Sequence, residues 1–468
     1  MTFNSLQYAL FLPAVFALHW MVPRRARLSL ILVASYVFYG SWDHRFLALL
    51  LVSTVGDYWI ASALGRTEDE RRRRLLLTAS LAINLGILGF FKYFNFFVDS
   101  AGALLSKVGL EPNERLLEVI LPVGISFYTF QTLSYTFDVY RRRIEPCRDP
   151  ILFACFVAYF PGLVAGPIER ARRLLPRLAA DRSPPDIAQV QSALGLILFG
   201  LFKKVVLADQ MAPLVESTFS SPAEATGLEV AGALVAFSIQ VYGDFSGYSD
   251  IARGSSRLLS VELMVNFRQP FLSRSITEFW QRWHISLSSW LRDYLYVPLG
   301  GNRGSRLATY RNLVITMTLG GLWHGAGWTY VAWGAVQGLK LSLHRALGGS
   351  VQEGDRIQMR QIPAVVATFA LISLSWLLFR ADSLATTATL TQNLVAWRGP
   401  NLVTAEILQV GLWLVAMFAM DVAHRLLSSE RVEPVRRPVL SGALAGAGTT
   451  LIILYSGSAS VPFIYFQF

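Results

Sequence analysis

The chain is poor in charge. Asp, Glu, Lys and Arg make up 16% of its 468 residues, where a soluble domain carries about 25%. That shortfall, with 53% hydrophobic residues and a mean hydropathy of +0.43, excludes an ordinary soluble domain. Apolar runs recur from end to end and predict an integral membrane protein. Cysteine is nearly absent as well. Cys147 and Cys155, one on a basic loop and one in an apolar run, match neither a zinc nor a redox spacing. Nor is there a His-Glu-x-x-His, a Gly-x-Ser-x-Gly elbow or a Walker loop. Gly300-Gly301-Asn302-Arg303-Gly304 is glycine-rich but lacks the Lys-Ser/Thr ending.

The formal net charge is +11. On a soluble protein this would suggest nucleic acid. Here the basic residues gather in short loops: Arg24, Arg25 and Arg27; Arg71 to Arg74; Arg141 to Arg143; Arg170, Arg172, Arg173 and Arg177. Positive-inside topology explains that pattern without a nucleic-acid partner. The first apolar run, Leu6 to Trp20, lacks a basic n-region and a small-residue cleavage site, so it reads as a retained helix.

Hydropathy predicts an all-α fold with eleven or twelve crossings. They lie near 4–22, 28–42, 45–64, 75–97, 116–138, 187–207, 227–242, 307–323, 328–346, 362–379, 407–426 and 440–457. Basic loops 23–27, 66–74 and 141–149 alternate with the nearly neutral 42–45 and 98–115. That alternation puts both termini outside and the basic loops in the cytoplasm. Ile151 to Val164 is short, lies between two basic segments and carries Phe160-Pro161-Gly162. It predicts a re-entrant hairpin, since irregular backbone is tolerated at membrane depth when buried in protein. The block 243–306 is too polar for a simple span and predicts interfacial or half-inserted helices. The whole of 1–468 reads as one polytopic domain. Its parts are N-terminal helices (1–150), a re-entrant segment (151–182), a core (187–346), and C-terminal helices with an aromatic tail (362–468).

Ionisable groups at membrane depth are costly and therefore functional candidates. His324 stands in Leu319-Gly-Gly-Leu-Trp323-His324-Gly325-Ala-Gly327-Trp328. Glycines on both sides predict a helix break between two spans. A neutral imidazole there can take a proton from an acceptor hydroxyl; the alternative is a histidine that only bonds a broken helix end. His284 stands in a helix-compatible stretch with Glu278, Arg282, Trp283, Ser286, Trp290 and Asp293. Spacings of three to four pair Glu278 with Arg282 and align Ser286, Trp290 and Asp293. An aromatic interfacial helix is the plain reading, and support for His324 or an acyl donor the functional one. Charge counting sets His284 in a cytoplasmic block and His324 nearer the outside, as two ends of a path. Tyr242-Gly-Asp244-Phe-Ser-Gly-Tyr-Ser-Asp250 either lines a cavity or makes a tight polar turn. The tail Pro462-Phe-Ile-Tyr465-Phe-Gln-Phe468 either anchors at the interface or fills a groove and presents the Tyr465 hydroxyl.

These segments resemble bacterial membrane-bound O-acyltransferases and, more narrowly, those of alginate O-acetylation. The resemblance is carried by Leu121-Pro-Val-Gly-Ile-Ser-Phe-Tyr-Thr-Phe130, Asp244-Phe-Ser-Gly-Tyr-Ser-Asp250, Ser275-Ile-Thr-Glu-Phe-Trp-Gln-Arg-Trp-His-Ile-Ser-Leu-Ser288 and Leu319-Gly-Gly-Leu-Trp-His-Gly-Ala326. It implies a ring of membrane helices around a central tunnel. An acyl group, foremost acetyl from acetyl-CoA as substrate, would pass from a cytoplasmic donor to an extracytoplasmic polysaccharide or a periplasmic acetyltransferase partner. The location implied is the bacterial inner membrane, with no bound cofactor. His324 corresponds to the family's catalytic histidine and His284 to its second characteristic polar residue. Trp323, Arg282, Trp283, Asp293, Asp244 and Asn302 would shape the donor site. The tail is similar to a Phe-x-Tyr-Phe-x-Phe motif of teichoic-acid D-alanylation, whose tyrosine is proposed to carry the acyl group. Gly327 departs from the pattern, since relatives often carry Asn there. Peptidoglycan, cellulose and teichoic acid are alternative acceptors. A carrier transporter without chemistry is the reading from another class; it would predict two related halves, and no repeat is visible.

Overall fold

The computed structural model describes residues 1–110, 119–349, 357–399, 403–426, 438–456 and 462–464. Among them there are helices and no strands. In order they are α1 Leu6–Met21, α2 Arg27–Gly40, α3 Leu47–Arg66, α4 Glu70–Leu88, α5 Phe94–Lys107, α6 Ile125–Tyr140, α7 Pro150–Ala158, α8 Phe160–Leu163, α9 Ala171–Ala179 and α10 Ile187–Phe202. There follow α11 Ala212–Ser220, α12 Gly227–Leu258, α13 Ile276–Arg282, α14 Ile285–Leu291, α15 Arg306–His324, α16 Trp328–Ala346, α17 Ile362–Arg380, α18 Leu384–Val395, α19 Ala405–Leu426 and α20 Pro438–Tyr455. The described residues hold six helical stretches long and apolar enough to cross a bilayer: His44–Arg66, Glu70–Lys107, Ile187–Ser220, Gly227–Leu258, Met359–Arg380 and Ala405–Leu426. Each contains or overlaps a span predicted from hydropathy. The other predicted spans are shorter or more polar; α2 has 14 residues, and α15 carries Arg311 and Asn312 within its length.

Two compact units divide the chain. The first comprises Met1–Val190 with Ser255–Met264, the second Gln191–Gly254 with Val265–Phe468. In the first, α3, α4 and α6 are joined by a buried polar network. The Asp57 carboxylate accepts from Ser80 Oγ at 2.5 Å and Asn84 Nδ2 at 2.8 Å. Asn84 Oδ1 accepts from Ser53 at 2.7 Å and Thr132 at 3.2 Å. Such bonds replace water where none is at hand and pin helices together. Arg73, read from sequence as one of a run of loop arginines, is buried instead. Its guanidinium donates to the Leu64 and Tyr140 carbonyls, both at 2.7 Å. One cation thereby caps the C-terminal ends of α3 and α6.

The segment predicted to re-enter forms α7, nine residues long, then the short α8. The helix breaks at Tyr159, whose ψ of 103° leaves the helical region immediately before Phe160-Pro161. Residues Phe153 and Cys155 to Pro161 are buried.

In the second unit, α12 corrects the expectation that polar structure starts at residue 243. The helix runs unbroken for 32 residues, so the Tyr242 to Asp250 run is neither turn nor loop. Two features let its polar residues stay helical. Lys203 Nζ meets Asp250 at 2.7 Å, and Lys204 Nζ meets Asp244 at 2.7 Å and Asp209 at 2.8 Å. Both lysines sit on a π-helical stretch, Lys203–Ala208, that follows α10. In addition, α10 and α12 touch backbone to backbone. A Cβ on Gly247 would lie 2.6 Å from the Gly200 carbonyl oxygen, and one on Gly254 2.6 Å from that of Ala193. Small residues at such a crossing allow the close approach on which membrane helix association depends.

Candidate active site

His324 ends α15, and α16 begins four residues later after the N-cap Gly327. The two helices form an antiparallel hairpin held by glycines. A Cβ at Gly321 would stand 2.2 Å from the Tyr330 carbonyl oxygen, and one at Gly334 2.3 Å from that of Met317. The helix break expected at His324 is present. Gly325 and Gly327 have extended backbone, φ −152° and −164°, open to any residue. What Gly325 provides is room: a Cβ there would lie 2.2 Å from the Tyr330 ring.

An aromatic wall encloses the His324 imidazole. Ring centroids lie at 5.1 Å for Trp323, 5.4 Å for Trp333 and 5.5 Å for Phe379. Trp333 stacks on Trp376 of α17 at 5.8 Å and 16°. Both indole Nε1 groups are buried without an acceptor among the described residues, an arrangement that costs free energy unless a bound molecule accepts the bond.

His284 is the N-cap of α14, with φ 42° and ψ 55°. It interrupts the helix expected across 278–293. Left-handed backbone on a residue other than glycine costs about 1 kcal/mol or more and gathers at functional sites. Asn266 holds it there: its carbonyl accepts the Ile285 N–H at 2.9 Å and its side chain the Ser286 N–H at 3.1 Å. The turn brings the fully buried imidazole to 4.5 Å from Phe245, 5.9 Å from Trp323 and 6.2 Å from His324. The two histidines are therefore one site, not two ends of a path. Burial first, and the neighbouring His324 second, push the His284 pKa well below its ordinary value. His284 is neutral at physiological pH.

Beneath the pair, Glu278 gathers arginines. Arg274 donates to its carboxylate at 2.9 and 3.1 Å and Arg282 at 3.0 Å, with Arg425 of α19 at 3.9 Å. Desolvation raises the Glu278 pKa, but the Arg274 and Arg282 contacts outweigh it and hold the carboxyl below its usual range. Arg282 is thus engaged in fixing α13, and Trp283 stacks on Phe279 at 5.5 Å. Asp244 is taken up by Lys204 and by the Ile464 main-chain N–H at 2.6 Å. Asp293 pairs with Arg292 at 2.8 Å on the half-exposed π-helical segment Arg292–Tyr296. Asn302 is exposed and accepts from Tyr296 and, at 3.0 Å, from Arg345. Structure therefore gathers His324, His284, Trp323 and Trp283, puts Arg282 and Asp244 in supporting ion pairs, and leaves Asp293 and Asn302 toward the surface. Tyr465 lies outside the described residues, whereas Phe463 and Ile464 are buried on α12. Trp333, Trp376, Phe379 and Asn266 escaped the sequence reading. No three His, Cys, Asp or Glu side chains converge on a metal-sized site among the described residues.

The sequence model described as MBOAT, membrane-bound O-acyltransferase family, matches residues 148–379. The chain is 44% identical over 393 residues to the probable alginate O-acetylase of Azotobacter vinelandii, covering 83% of this chain and 75% of that one. It is 40% identical to the protein of that name from Pseudomonas putida, covering 98% of both. A peptidoglycan O-acetyltransferase of Helicobacter pylori is 36% identical over 80% of this chain and 74% of its own.

Proposed function

The chain belongs to the membrane-bound O-acyltransferase family, and from that premise we propose that it moves an acetyl group from a cytoplasmic thioester donor, acetyl-CoA, to a polysaccharide hydroxyl outside the inner membrane. The observation that carries this reading is the buried histidine pair, 6.2 Å apart behind an aromatic wall. A polymer such as alginate is the acceptor this reading favours, because relatives aligned over most of their length carry that name. The more distant peptidoglycan enzyme keeps that polymer as the second choice. The basic segments at 66–74 and 141–149, most of whose arginines are exposed, support the orientation, with donor entry from the cytoplasm.

In this mechanism His324 accepts the proton of the attacking hydroxyl. The hydroxyl oxygen forms a bond to the acetyl carbonyl carbon. The carbon–sulfur bond then breaks, and the departing thiolate takes up a proton. The Trp333 and Trp376 indole N–H groups are suited to the carbonyl oxygen as negative charge gathers there. His284, neutral and locked by its backbone, orients the reacting groups beside His324. The attacking hydroxyl belongs to Tyr465, which then carries the acetyl as an ester to a periplasmic partner or to the polymer.

Replacement of His324 by Ala is expected to abolish polymer acetylation while insertion and expression persist. Unchanged acetylation would sink the assignment. Tyr465→Phe tests the relay alone: wild-type acetylation leaves the tail as an anchor and sends the acetyl directly to another hydroxyl.

A further inference from the structure

Asp244 is an acid at the middle of a 32-residue apolar helix, where a carboxylate is expensive and is kept for a purpose. The acyl-transfer chemistry above does not use it. Its two oxygens face different partners. One meets Lys204 Nζ at 2.7 Å, and Lys204 is itself shared with Asp209 at 2.8 Å. The other accepts the main-chain N–H of Ile464 at 2.6 Å. The donor lies 220 positions further along the chain, in its final segment. One turn along α12, Tyr248 stacks on Phe463, centroids 4.6 Å apart at 30°. Phe463 also packs at 6.0 Å from Phe245, whose ring stands 4.5 Å from His284.

We propose that Asp244, held by Lys204, is a positioning residue: it seats the C-terminal segment by its backbone and sets the register from which the segment serves the histidine site. A hydrogen bond to a main-chain amide alone would not select one residue over the next. The aromatic slot one turn away does, because only Phe463 at Tyr248 brings the Ile464 N–H to the carboxylate. The lysine has its own part. Its ammonium, 2.7 Å from one carboxylate oxygen, fixes the side chain so that the other oxygen faces the Ile464 N–H. Tyr465 is the next residue in sequence, so the seat rests on the reading in which that tyrosine carries the acetyl group.

The test removes a single hydrogen-bond donor from the full-length protein. The α-hydroxy analogue of isoleucine, introduced at position 464 by nonsense suppression, replaces the N–H by an ester oxygen and leaves every side chain in place. Two readouts are taken in detergent: polymer-acetylation kinetics, and release of the last residues by carboxypeptidase followed by mass spectrometry. Loss of this hydrogen bond should lower kcat by up to about tenfold at unchanged donor KM, and speed tail release by a similar factor. Asp244→Ala should do the same, the double change should add nothing further, and Asp244→Asn, which keeps an acceptor oxygen, should recover part of the loss. Tail release at the wild-type rate in the ester protein overturns the seat. So do multiplicative effects of the two changes, even where Asp244→Ala also loses folded protein. Faster release with wild-type kcat, in a protein that Tyr465→Phe inactivates, overturns the positioning role. Wild-type activity in Tyr465→Phe instead removes the relay reading, and accelerated tail release then upholds the seat by itself.

Discussion

Replacing Gly334 by Ala introduces one methyl group into the contact between α15 and α16, and it should disable the enzyme. The new Cβ would stand 2.3 Å from the Met317 carbonyl oxygen and 2.8 Å from the Thr318 Cα. Comfortable separation is about 3.5 Å, so α15 and α16 must part by about 1 Å. The obstacles are backbone atoms inside helices, which no rotamer change relieves. Overpacking of this kind costs about 1–3 kcal/mol of stability. The larger effect is on His324, which ends the displaced helix. A misplacement of about 1 Å at a reacting group can cost on the order of 100-fold in rate. The assay is acetyl transfer by purified protein, with thermal unfolding followed in parallel. Gly411→Ala is the control, since a Cβ there meets nothing within 4 Å. A Gly334→Ala protein with wild-type kcat would refute the argument that this hairpin contact sets the histidine.

Three further outcomes follow from the same geometry. The depressed pKa of His284 means that the folded state binds fewer protons than the unfolded one below pH of about 6.5. Stability present at pH 7 to 8 should fall as pH drops through that value and level off below the depressed pKa. Thermal unfolding between pH 5 and 8 should show this slope, and His284→Asn should flatten it; equal slopes would count against a buried neutral imidazole. Trp333→Phe keeps the ring against His324 but loses the N–H, and should lower kcat on the order of 100-fold if that group meets the carbonyl oxygen. Trp413→Phe, at a buried indole near Tyr455, serves as its control. Asn84→Ala orphans partners on Ser53, Thr132 and Asp57 and should cost about 2 kcal/mol of thermal stability. Its kcat below the melting range should remain near wild type, and a selective loss of kcat would assign the network a part in transfer.

Much of the fold was legible because a bilayer demands long apolar helices, and the six long stretches fall on predicted spans. The break at His324 was legible too, since Gly320-Gly321 and Gly325 flank it. Hydropathy misjudged the start of the polar block at residue 243. It scores Asp244 and Asp250 as exposed, whereas Lys204 and Lys203 neutralise them from another helix. The proximity of the two histidines was hidden for a similar reason. Nothing in Trp283-His284-Ile285 announces left-handed backbone, because the bonds that hold it come from Asn266. Trp333 and Trp376 looked like ordinary span aromatics, and only their convergence from α16 and α17 marks them.

The left-handed turn at His284 has a consequence for anyone choosing replacements there. A substitution at this position changes two things at once, the imidazole and the cost of the backbone angle. Alanine removes the ring and keeps a Cβ that resists the angle, so its loss of function would mix two causes. Glycine accepts the angle freely, and asparagine accepts it nearly as well while restoring a polar tip. Ranking Gly, Asn and Ala by folded yield, and separately by turnover, would sort these contributions: yield should follow backbone tolerance, and turnover the chemistry of the tip.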